Sequence, residues 1–152
     1  MGGEQGPVYF GGPIVSPSAI IVDANLAFKA LVTNRGDLRE RLGAAREFEL
    51  FSPRFLFVEL FKHRQRLAHA TGLSGDDLVA SLHTLVARLE FVNEANIPLG
   101  IWMEAHRLCR EVDERDTAYV ALTLHIGGRL WTEDRILKEG LRARGFNQFF
   151  EP

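Results

Sequence analysis

The chain predicts an α/β domain, a short parallel sheet of four to five strands with helices on both faces. Three observations carry that expectation. From residue 19 onward, short apolar runs alternate with longer stretches of helical periodicity. The first run, Ala19-Ile-Ile-Val22, is apolar at every position, as a strand covered on both faces requires. The chain has 152 residues, 46% hydrophobic and 25% charged, which suits one domain able to bury roughly two-thirds of its unfolded surface.

The elements follow in order. Residues 1–18 hold five of the 14 Gly and three of the six Pro, and predict a flexible N-terminal arm ahead of a single domain at 19–152. After Ala19–Val22, a helix over Asn25–Thr33 turns Leu26, Leu31 and Val32 inward and stops at Asn34-Arg35-Gly36. A short helix over Asp37–Arg46 precedes a second strand at Phe48–Phe51, ended by Ser52-Pro53, with Pro in the first turn of the next helix. That helix, Arg54–Ala70, places Phe55, Val58, Leu60, Phe61 and Leu67 at helical spacing. Ser74 caps a helix whose first turn holds Asp76 and Asp77 and which runs to about Leu89. A third strand lies around Phe91-Val92, Pro98 and Gly100 punctuate, and a helix spans Ile101–Arg110. Asp113 caps the next helix, which buries Tyr119, Val120, Leu122, Leu124 and Ile126 and ends at Gly127-Gly128. Arg129–Thr132 is a fourth strand, Glu133–Arg144 a helix, and Gln148–Phe150 a last strand.

Composition excludes several classes. With 18 Lys+Arg against 20 Asp+Glu, the net charge is −2, too little basic excess to coat nucleic acid or anionic membrane. Cys109 is alone, so no internal disulfide forms, and it reads as a small buried hydrophobe. No apolar stretch reaches the roughly 18 residues a membrane span needs, and no charged-then-apolar leader stands at the start. A soluble, cytoplasmic protein is expected.

The chemistry lies in the acids. In an open α/β sheet, ligands sit beyond the carboxyl ends of the strands where the strand order reverses. Asp23 follows the first strand, Glu133-Asp134 follows the fourth, and Asp113-Glu-Arg-Asp116 opens the helix between. Asp113 and Asp116, three apart, share a helix face. Carboxylates gathered at one edge repel one another and raise each other's pKa, and a divalent ion relieves that repulsion. Oxygen-only ligands favour Mg2+ or Mn2+ over zinc.

These residues resemble the PIN-domain ribonucleases, a family that includes VapC-like toxins. The resemblance runs from Ile20 to about Phe150 and rests on four motifs in register: Ile21-Val-Asp23-Ala-Asn25, Pro53-Arg-Phe-Leu-Phe-Val-Glu59-Leu-Phe-Lys62-His63, Asp113-Glu-Arg-Asp116-Thr-Ala-Tyr-Val-Ala-Leu, and Leu130-Trp-Thr132-Glu-Asp134. It implies a three-layer α/β/α fold and metal-dependent hydrolysis of RNA phosphodiester bonds with Mg2+ or Mn2+. Asp23, Glu59, Asp116 and Asp134 match the catalytic acids. Asp23, Asp116 and Asp134 are the implied metal ligands, and Asp113 adds a fifth carboxylate in one branch of the family. Asn25 and Thr132 match supporting polar positions. An RNA substrate, an antitoxin protein and a homodimer are implied by the resemblance alone. Two departures stand out: Glu133, where a small residue is usual, bears on the approach of an anionic substrate, and Thr117 replaces a more frequent Ala.

Plainer readings exist for several of these residues. Asp113 is equally explained as a helix cap, and Glu59 as one half of a salt bridge with Lys62, His63 or Arg64. Lys62, Arg64 and Arg66, with Arg135 and Lys138, either contact RNA phosphates or form solvated helix faces. None of the five His has ligand spacing with another. Trp131 and the 11 Phe read as core or oligomer surface. A haloacid-dehalogenase-like phosphatase would need a second Asp where Asn25 stands, and a receiver domain would need paired acids and a late Lys. A PIN-like RNA-binding or scaffold domain without catalysis is the remaining alternative, and four retained acids weigh against it.

Overall fold

The computed structural model describes residues 18–32 and 47–152. Residues 1–17 of the expected arm, the stop at Asn34–Gly36 and the helix over 37–46 lie outside the described residues, as do the side chains of Leu31 and Val32.

β1 (Ala19–Val22) leads into α1 (Ala24–Val32), and β2 (Glu49–Pro53) into α2 (Phe55–Lys62), α3 (Arg64–Thr71) and α4 (Gly75–Ala87). β3 (Glu90–Val92) precedes α5 (Leu99–Cys109), a 3-10 turn at Glu114–Asp116 and α6 (Thr117–Ile126); β4 (Arg129–Trp131) and α7 (Arg135–Ala143) follow. The four strands form one sheet in the order β3-β2-β1-β4, every pair parallel. β1 sits centrally, with Ile21 opposite Phe51 on one side and Leu130 on the other.

Successive residues of a strand face opposite sides of a sheet, and β1 divides its apolar run accordingly. Ile20 and Val22 join a core with Leu26, Leu56, Leu60 and Leu85, contributed by α1, α2 and α4. Ala19 and Ile21 join a second core with Leu108, Val120, Leu122 and Leu141, from α5, α6 and α7. All four β1 side chains are fully buried, which is why no polar residue interrupts the run. The layers are therefore helix, sheet, helix, as expected. Cys109 is buried in the second core, and burial there pushes its thiol up to about 12. Among the described residues, no helix is long and apolar enough to cross a membrane.

Several boundaries differ from expectation. Strand β2 runs through Ser52 and Pro53. Its pairing with β1 ends at Phe51, while Pro53 still pairs Val92 of β3, so the missing proline N–H costs no ladder bond. The single helix expected over 54–70 divides at His63, whose φ and ψ of −103° and 16° leave the helical region. The Arg64 guanidinium donates to the released Phe61 carbonyl at 2.9 Å. Leu56, Leu60 and Leu67 form the buried stripe, whereas Val58 and Phe61 are exposed. Gly100 lies inside α5, and Leu124 is only half-buried. Asp134 caps α7 from outside, so Glu133 is not helical. The expected last strand shrinks to one parallel bridge, Phe149 to Leu130.

Gly128 allows α6 to turn tightly into β4. A Cβ there would meet the Ala19 carbonyl oxygen at 2.6 Å and the Ala19 Cβ at 3.1 Å, both fixed by the central strand. Gly128→Ala is expected to destabilise the fold by about 1–3 kcal/mol, measured by urea denaturation. An unchanged midpoint would show that β1 and β4 can separate at this point.

Candidate active site

From β1 the chain moves outward to β2 and β3, then returns to add β4 on the opposite side of β1. The strand order reverses between β1 and β4, and a ligand crevice is expected beyond their carboxyl ends. Asp23 directly follows β1, and Thr132-Glu133-Asp134 directly follow β4.

Asp23 is 1% exposed. Its Oδ1 accepts the Leu26 amide at 2.8 Å, capping α1, whereas the buried Oδ2 has no hydrogen-bond partner among the described residues. Burial raises its pKa to about 6, against the pull of the Thr132 hydroxyl and the Leu26 amide, and the Asp134 charge raises it further. Asp116 ends the 3-10 turn that starts α6. Burial first, then the charges of Asp113, Asp23 and Asp134, raise it to about 7, with Arg115 opposing. Asp134 accepts the Leu137 amide at 3.0 Å and donates its own amide to the Thr132 hydroxyl at 3.1 Å. Thr132 is buried. The Asp134 charge thus acts on both Asp23 and Asp116, and the Asp23 charge on Asp116, at the switch point.

Glu59 projects from α2 and lies 3.5 Å from the His63 ring through Oε2. A cleft of about 120 Å³ brings Glu59 together with Asn25, His63, Arg66, Asp113 and Asp116. Asp113 caps the 3-10 turn by accepting the Arg115 amide at 3.0 Å. Both of its oxygens also accept from the Arg115 guanidinium, at 3.0 and 2.8 Å, and this holds its carboxyl below the usual range. The capping explanation for Asp113 is thus realised, and its oxygens already have a cationic partner.

The other basic residues lie elsewhere. Lys62 and Arg64 are exposed, and the Arg64 guanidinium sits 4.4 Å over the Phe61 ring. Arg135 and Lys138 stand on α7 in a separate hollow with Glu133 and Glu151. Glu133 pairs with Lys29 at 3.2 Å, which offsets the negative charge its position brings to the approach.

Two cleft residues were not singled out from the sequence. Arg115 lies between Asp113 and Asp116 in the chain, close enough to both to have been a signal. Tyr119, one helical turn after Asp116, also lines the cleft. Its buried hydroxyl has no hydrogen-bond partner among the described residues. Burial, then Asp23, Glu59 and Asp116, hold the phenol protonated.

The donor set suits a hard divalent cation: carboxylate oxygens only, one of them the buried, unpartnered Oδ2 of Asp23. Among the described residues, no three His, Cys, Asp or Glu side chains are grouped so as to hold an ion. The acids are coupled through their charges and do not form a closed shell.

A family model described as PIN domain matches residues 21–149. The fold is similar to the crystal structure of VapBC2 from Rickettsia felis bound to a DNA fragment from their promoter. The TM-score is 0.64 at 12% identity, covering 80% of this chain and 92% of the other. No curated protein matches the chain.

Proposed function

Because this chain belongs to the PIN-domain family, matched over 129 of its residues from 21 to 149, we propose that it is a metal-dependent endoribonuclease. The family's members are generally nucleases. The observation that carries the reading here is the buried Asp23 carboxylate. It stands at the reversal of strand order with one oxygen unpartnered, within the field of Asp116 and Asp134.

Asp23, Asp116 and Asp134 would hold Mg2+ or Mn2+, with Asp113 contributing once Arg115 moves to substrate. The bound ion supplies positive charge to the phosphodiester and lowers the pKa of the attacking water. The residues of the chain do the rest. Asn25 and Thr132 support the acids that flank them. Glu59, held by His63, accepts a hydrogen bond from the attacking water and orients it in line with the scissile bond. Water adds at phosphorus and gives up one proton to solvent through Glu59. The bond to one bridging oxygen breaks, and that oxygen takes one proton back from solvent as it leaves, so that no net proton is consumed. Arg66 and Arg115 stand at the cleft to receive phosphate oxygens, and Lys62, Arg64, Arg135 and Lys138 are the further basic positions for the strand.

The same reading makes the chain the toxin of a toxin–antitoxin pair. It is a homodimer, with a small inhibitory protein covering the acidic cleft. The fold shared with VapBC2, together with a cleft open to solvent, supports the antitoxin partner; the homodimer is implied by the family resemblance alone.

The test is cleavage of an end-labelled single-stranded RNA with Mn2+ and with EDTA. Cleavage is expected with Mn2+ alone. If the RNA stays intact with every divalent ion while the protein still binds it, the non-catalytic alternative takes first place.

A further inference from the structure

Helix α7 carries a second charged feature that the acidic site does not use. Lys138 stands four residues after Asp134, and Arg142 four after Lys138. The three form one row along the helix, in steps of roughly 6 Å. The Lys138 side chain is only 18% exposed, and its ammonium donates to both oxygens of the Glu151 carboxylate, at 3.0 and 3.2 Å. Arg142 donates to the same carboxylate at 3.0 Å and lies 5.0 Å over the Phe149 ring. Lys138, Glu151 and Thr132 line a common hollow of about 450 Å³; Thr132 is also the residue that receives the Asp134 amide.

A surface ion pair by itself needs no ligand to explain it. Here two cations converge on one anion, the lysine is held largely out of solvent, and the row starts at a proposed catalytic acid. Two basic side chains around a pair of anionic oxygens is also how a backbone phosphate is held.

We propose that Lys138 and Arg142 form a backbone-phosphate subsite for single-stranded RNA, and that the Glu151 carboxylate is its internal occupant, displaced when the strand binds. The inference rests on the ribonuclease reading above and names a determinant of affinity for that site. Glu151 competes with every RNA alike, since phosphate contacts carry no sequence information.

The experiment measures binding of an end-labelled single-stranded oligoribonucleotide, and separately of inorganic tripolyphosphate, in EDTA. The proteins are wild type, Glu151→Gln, Glu151→Asp and Glu151→Gln with Lys138→Ala. Glu151→Gln is expected to tighten both ligands about three- to tenfold, from the loss of two competing ion pairs. It is also expected to steepen the salt dependence of RNA binding by about 0.7 for each additional phosphate neutralised. Glu151→Asp keeps the charge and stays near wild type, while the added Lys138→Ala removes the gain. Unchanged affinity for both ligands in a folded Glu151→Gln protein overturns the proposal. If Glu151→Gln tightens both RNA and tripolyphosphate while RNA is cut with no divalent ion, the subsite is supported and the ribonuclease reading fails. If tripolyphosphate alone binds more tightly and RNA is not bound, the subsite is overturned as well. If Mn2+-dependent cleavage occurs with no effect of Glu151→Gln on either ligand, that reading stands and the subsite falls.

Discussion

Asp116→Asn is expected to reduce RNA cleavage at least about a hundredfold while leaving the protein as stable as wild type, or more so. The loss follows from removing a proposed ligand of the ion, whose charge stabilisation would be worth several kcal/mol, each 1.4 kcal/mol being roughly a factor of ten. The preserved stability follows from the same electrostatics. Asp116 is raised to about 7 by burial and by Asp113, Asp23 and Asp134, so its charge opposes folding near neutral pH. Asparagine keeps the shape and removes the repulsion. Cleavage rate and thermal midpoint are measured on the same preparation. A variant that unfolds would make Asp116 structural and remove it from the site, and one that cleaves at the wild-type rate would remove it from the reaction.

The second large effect is on stability against pH. Asp23 is raised from the ordinary 3.8 to about 6. A group whose folded pKa lies above its unfolded value binds protons more tightly when folded, so stability falls as pH rises between the two values and is level above the upper one. For Asp23 the window runs from about 4 to about 6, and its two-unit shift amounts to about 3 kcal/mol; Asp116 extends the fall toward pH 7 in the same direction. Asp113, Glu104 and Glu151, all held low by arginine or lysine partners, act with the opposite sign at lower pH. The measurement is therefore a difference. The metal-free wild type is expected to lose about 2 kcal/mol of stability relative to Asp23→Asn between pH 4.5 and 7.5, or about 4–8 °C in thermal midpoint. If the ionised acids of the folded state hold the ion as proposed, millimolar Mn2+ raises the wild-type midpoint at pH 7.5 and leaves it nearly unchanged at pH 4.5. An equal metal effect at both pH values would place the ion away from these carboxylates.

Much of this was legible before the fold. A run with no polar position, Ala19–Val22, is of the kind a strand covered on both faces uses, and the two cores it divides are the layers that the alternation of elements predicted. Two helix caps were legible because they depend on nearby residues: Ser74 accepts the Asp77 amide and Asp113 the Arg115 amide, whereas the cap at Asp134 was read as part of the helix it precedes. Asp23, Asp116 and Asp134 stand next to element ends, where topology would gather them, whereas Glu59 lies inside α2 and was named only by the resemblance.

What stayed illegible depends on neighbours distant in the chain. The stripe that α2 buries was misplaced because Leu and Phe alternate around that helix, and only the position of α2 on the sheet selects Leu56 and Leu60. Pro53 could remain in β2 because the pairing with β1 had already ended, a fact of register. Lys138 reads as a solvent-facing cation from its own helix, yet Glu151, thirteen residues later, closes on it. Local order, periodicity and capping determined the element sequence and the roster of acids, because these are effects of near neighbours. Which acids are buried, which are neutralised by arginine and which cations already hold a carboxylate was decided by tertiary packing, because charge and desolvation act through space.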